Sequence, residues 1–200
     1  MDDEIKSALE IAREKVEKIG EATEDERLRW KYVPQGEQLA GRYLKEDYNL
    51  IAELTKYPEN ARKNVVAGAS EVLLRNINLP RNDAAKKMNK KVMDGLKLVK
   101  NDKARVENVF SQIRRLFDHY ATQGEQQRKQ AYQALKDDME VKFQQAMQQQ
   151  MGLPAGTPGA RIDVEKQPQF LQEWRRLQSQ LDGQYLTVLD EYKRELSSLS

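Results

Sequence analysis

"KARVENVFSQIRRLFDHYATQGEQQRKQAYQALKDDMEVKFQQAMQQQM", residues 103–151, and "PQFLQEWRRLQSQLDGQYLTVLDEYKRELSSL", residues 168–199, decide the fold class. In the second stretch Phe170, Trp174, Leu177, Leu181, Tyr185, Val188, Tyr192, Leu196 and Leu199 recur at threes and fours, which draws one apolar stripe down a helix. Pro168 suits the first helical turn, where its missing N–H would have had no partner. The first stretch follows Asp102, a good N-cap, and its stripe runs through Val106, Val109, Phe110, Ile113, Leu116, Phe117, Tyr120, Ala131, Leu135, Met139, Phe143, Ala146 and Met147. As one helix it would span roughly 70 Å, a length that calls for a coiled-coil-like partner.

The two stretches predict a long antiparallel helical hairpin, with residue 151 opposite 168 and residue 199 opposite 120. Gly124 interrupts the first arm at a cost of about 1 kcal/mol against Ala, and permits a bend there. In this register residues 103–119 have no hairpin partner, so the first hundred residues are expected to cover them. The expected architecture is all-α: a multi-helix head over residues 1–120 and a hairpin stalk over 121–200, continuous through the helix 103–151.

Outward from the hairpin, Asn82 or Asp83 caps a helix whose inner face is Ala85, Met88, Val92, Leu96 and Val99. Upstream, Ala61, Val65, Ala69, Val72 and Leu73 form another apolar face, with Gly68 allowing close backbone approach. Shorter helices are expected in "QGEQLAGRYLKED" and "YNLIAELTKY". Thr23 and Glu26 read as a capping box for a helix that Pro34 kinks or ends. Ile5, Leu9, Ala12, Val16 and Ile19 make a first helical stripe that Gly20 is placed to end. No stretch alternates with period two, so no sheet is expected.

Charged residues are 33% of the chain, against about 25% in ordinary globular proteins, which suits an elongated helical protein. There are no cysteines, which excludes disulfides, thiolate catalysis and Cys-based metal sites. The first residues, "MDDEIKSALEIAREKVEKIG", lack the apolar core of a signal peptide, and no run approaches the ~18 apolar residues of a membrane span. A cytoplasmic protein with no membrane association is the expectation. Its basic excess is concentrated in residues 61–120.

Chemistry-bearing constellations are few. His119 is the sole histidine, so any Ser/His/Asp triad would need it, and a di-iron bundle with two Glu-x-x-His motifs is impossible. Glu14 with Glu17, Glu21 with Glu24, and Asp137 with Glu140 share helix faces at i, i+3, a spacing that can hold Mg²⁺ but more commonly marks a solvated face. Gly152, Gly156 and Gly159 lack the G-K-[ST] ending of a phosphate loop. No catalytic residue, metal site or cofactor is therefore expected.

Two binding surfaces are candidates. Lys86, Lys87, Lys90, Lys97 and Lys100 lie almost opposite the apolar face of their helix and would attract phosphates or an acidic partner. The loop "GLPAGTPGARIDVEK", residues 152–166, is long enough to form a contact tip through Leu153, Arg161 and Ile162.

The phrases "NINLPRND", residues 76–83, and "RIDVEKQPQFLQEWRRL", residues 161–177, with the helical order around them, resemble an uncharacterised bacterial family of small all-helical proteins. The resemblance implies no activity and assigns no functional residue. The leading expectation is a noncatalytic scaffold or adaptor that contacts other proteins. The alternative is a nucleic-acid or ribosome-associated protein that uses the lysine face. Leu171, Leu186 and Leu189, with Tyr132 and Val141, lie beside the main stripes and widen the apolar surface, which points to a homodimer of two hairpins.

Overall fold

The computed structural model describes residues 10, 13, 16, 22–46, 48–151 and 163–199, with backbone alone at 150 and 151. The fold is all-α, and the described residues contain no strand. The helices are α1 (Glu24–Lys45), α2 (Leu50–Leu54), α3 (Glu59–Arg75), α4 (Asp83–Val99), α5 (Lys103–Ala121), α6 (Gln123–Met151) and α7 (Pro168–Ser198), with a 3-10 turn at Val164–Lys166. Apart from Val16, which is helical and exposed, the stripe expected between Ile5 and Ile19 lies outside the described residues, as do Leu153, Arg161 and Ile162.

Local chemistry sets most helix starts. The Thr23 hydroxyl accepts from the Glu26 amide while Glu26 accepts from the Thr23 amide, a complete capping box for α1. Asn49, Asn82 and Asp102 each accept an amide three residues on, opening α2, α4 and α5.

Two compact units divide the chain. The first comprises residues 1–77, 87–107 and 196–200, and the second residues 78–86 and 108–195. In the first unit α1 packs closely along α3. A Cβ on Gly36 would lie 1.9 Å from the Val65 carbonyl oxygen, and one on Gly68 would lie 2.1 Å from that of Val33, so the two backbones touch. Leu39, Ala40, Ala61, Val65, Ala69 and Leu73 are buried in this unit, and the inner face of α4 adds Val92, Leu96 and Val99. The Tyr43 hydroxyl donates to the Lys91 carbonyl, and Lys91 Nζ donates to that of Glu46.

Pro34 neither ends α1 nor separates it from the stretch "QGEQLAGRYLK" that follows; both belong to one 22-residue helix. An interior proline costs about 3 kcal/mol. Burial of Gly36, Leu39 and Ala40 just beyond it offsets that cost, and the Gln35 side-chain amide donates to the Lys31 carbonyl one turn back.

In the second unit α7 runs antiparallel to α5 and α6. His119 and Tyr120 meet Tyr185, Arg128 meets Asp182, and Tyr132 meets both Phe170 and Trp174. This register differs from the expected one, which set residue 199 opposite 120. The cause is the 3-10 turn. Val164 packs with Met139 and Phe170, while Glu165 accepts from Tyr132 Oη at 2.7 Å and pairs with Lys136 at 3.2 Å. These contacts bring the start of α7 back to residues 132–143 rather than to 151. Residues 108–119 consequently share a unit with residues 168–195 of α7.

The long arm is interrupted at Thr122, between α5 and α6. Its amide bonds to the Asp118 carbonyl and its carbonyl accepts from Gln126, so the helical ladder continues through the residue on both sides. Leu189, expected to widen the exposed surface, is fully buried.

Candidate functional site

The second unit encloses a polar cluster that no local motif announces. Asp182 lies on α7 in phase with buried Tyr185, Leu189 and Leu196, and is itself 1% exposed. A carboxylate buried this deeply needs charged or hydrogen-bonding partners to offset its lost hydration. Two arginines supply it. Arg81, from the turn before α4, places Nη2 2.7 Å from Asp182 Oδ2, and Arg128, from α6, places Nη1 3.8 Å from Oδ1.

Arg128 is held independently of that pair. Its Nη2 donates to the Tyr120 carbonyl at 3.1 Å, and its guanidinium lies 4.0 Å above the Tyr120 ring. The bond to the Tyr120 carbonyl is charge-assisted, since its donor is a guanidinium. Burial, followed by the negative charge of Asp182, pushes the Tyr120 phenol above its ordinary pKa. Beside it Tyr185 Oη lies 2.9 Å from His119 Nδ1. Gly124 permits this packing, because a Cβ there would stand 2.9 Å from Tyr185 Oη and 3.2 Å from Arg128 Nη1.

Chemically this is an ionic lock. Asp182 faces two guanidinium groups, and the exposed His119 is engaged with a tyrosine hydroxyl. The signal that could have found the cluster is Asp182 itself, a carboxylate at a core position of an amphipathic helix. Its partners Arg81 and Arg128 lie far off in sequence and carry no such mark.

The lysine face divides on inspection. Lys86, Lys87 and Lys90 are exposed, with Lys86 paired to Asp83 at 3.1 Å. Lys97 is half-buried and paired with Glu107. Lys100 is buried, not exposed as its helical phase had suggested: its ammonium donates to the Leu199 carbonyl, and burial pulls its pKa down. The reason is that Lys100 lies just past the end of α4, where its side chain caps the last turn of α7. Of the carboxylate pairs, Asp137 accepts from Gln133 Nε2 at 2.7 Å, while Glu14, Glu17 and Glu21 lie outside the described residues. Among the described residues no group of three or more His, Cys, Asp or Glu side chains could hold a metal ion. Nor is any described helix long and apolar enough to cross a membrane.

Fold and site together define an all-α protein whose second unit is built around a buried two-arginine carboxylate. The chain belongs to the family of unknown function DUF6657, which matches over residues 51–198. No curated protein and no solved structure matches it.

Proposed function

We propose that this chain is a noncatalytic helical scaffold or adaptor that contacts other proteins through apolar side chains of α6 and α7, and that it acts in the cytoplasm. The observation that carries the reading is the exposure of large aliphatic side chains in the second unit: Val141 is 51% exposed, Leu171 42% and Leu186 39%. Apolar side chains displayed on a helical surface are the usual raw material of a protein contact. The engagement of Asp182 with arginines and of His119 with Tyr185 supports a noncatalytic role.

The competing reading, a nucleic-acid or ribosome-associated protein, draws on exposed Lys86, Lys87 and Lys90. Its surface is narrower than the lysine pattern suggested, because Lys97 is paired and Lys100 is buried.

Affinity purification from the native cell, run in parallel with a Leu171→Glu/Leu186→Glu variant, tests the proposal. The expected result is a protein partner retained at high salt and lost with the variant, at unchanged helicity. Binding that survives the double substitution but falls steeply with salt would transfer the role to the lysines.

A further inference from the structure

Asp182 Oδ1 and Arg128 Nη1 are both buried without a hydrogen-bond partner, and they face each other at 3.8 Å. A buried donor and a buried acceptor left unpaired are each destabilising. A displacement of about 1 Å would satisfy both at once, since a charge-assisted N–H···O bond closes near 2.8 Å. The other oxygen of the same carboxylate, Oδ2, is already engaged by Arg81 at 2.7 Å.

The two arginines differ in kind. Arg128 is 15% exposed and fixed by the Tyr120 carbonyl and ring. Arg81 is 57% exposed and sits in a tight turn, its amide bonded to the Leu79 carbonyl, immediately before the Asn82 cap of α4.

We propose that Asp182 is a shared anchor with two exchangeable counter-ions: Arg81 latches the entry turn of α4 onto α7, and Arg128 is a reserve cation that closes on the carboxylate when the latch opens. Release of Arg81 therefore does not strand a buried negative charge. The Arg128–Asp182 hydrogen bond forms in its place, satisfying the two unpaired atoms and offsetting much of the lost contact. The latch is a two-state element, open or closed, that sets the order of the first turn of α4.

Redundancy of this kind has a thermodynamic signature. Each arginine backs up the other, so the pair of substitutions must cost more than the two single ones together. Melting temperatures of the whole protein, of Arg81→Gln, of Arg128→Gln and of the double variant measure it. The expected result is a drop in the double variant several degrees beyond the sum of the single drops, or loss of folding in the double variant alone. Additive or smaller effects would overturn the proposal. Hydrogen exchange supplies an independent reading, because the amides of Ala85 and Lys86 are bonded to Asn82 in the turn that Arg81 holds. In Arg81→Gln they should exchange at least tenfold faster, with protection of the α7 amides around Asp182 retained. Unchanged exchange at Ala85 and Lys86, or loss of protection throughout that part of α7, would also overturn it.

Discussion

Glycines show how differently one residue type can be used. At Gly36 and Gly68 the backbones of α1 and α3 are in contact, and an added methyl would fall within 2.1 Å of a carbonyl oxygen. Neither carbonyl can move without parting the helices. Gly36→Ala and Gly68→Ala should each destabilise the first unit by about 3 kcal/mol or more, at the severe end of overpacking changes. Gly41, on the same helix, has nothing within 4 Å of its Cβ position. Gly41→Ala should instead stabilise by about 0.5–1 kcal/mol, through helix propensity alone. Urea denaturation of the three variants checks both signs, and a tolerated Gly36→Ala would disprove the backbone contact.

Phe170 and the 3-10 turn carry the pairing of α7 with α6. The Phe170 ring is 1% exposed and meets Tyr132 edge-on at 5.3 Å. Truncation by Phe170→Ala should cost about 3–5 kcal/mol, visible as a lower urea midpoint. The polar side of the same contact is sensitive to pH. Glu165 is held below its ordinary value of 4.5 by hydrogen bonds from Tyr132 and then Lys136, and Asp163 below 3.8 by Lys166. A carboxylate with a depressed folded-state pKa contributes stability that is complete above its unfolded pKa and disappears as pH falls through the folded value. Attachment of the turn should thus be constant down to about pH 5 and weaken progressively below about pH 4.5. Trp174, packed on Tyr132 at 5.0 Å, reports it by fluorescence once exposed Trp30 is replaced by Phe. Tyr132→Phe should shift the acid transition upward; an unchanged profile would show that the phenol–carboxylate bond contributes nothing.

For the whole chain the open matter is self-association. Val141, Leu171 and Leu186 stay exposed, but Leu189 is buried within its own unit, so the surface left for a second copy is smaller than the stripes implied. Light scattering across a dilution series is expected to show a dimer dissociating in the micromolar range, as suits a modest interface; a monomer mass at every concentration would exclude the dimer. What the sequence determined by itself was short-range: an all-α fold, the capping residues Thr23 and Asp102, a cap at Asn82 or Asp83, and Val92, Leu96 and Val99 on the buried face of α4, because helical periodicity and caps act within a few residues. The tertiary structure alone decided whether α1 survives Pro34, which residue of α7 faces Tyr120, that Lys100 is buried, and that Asp182 meets Arg81 and Arg128. Each depends on groups far apart along the chain, where packing and counter-charge can outweigh local preference.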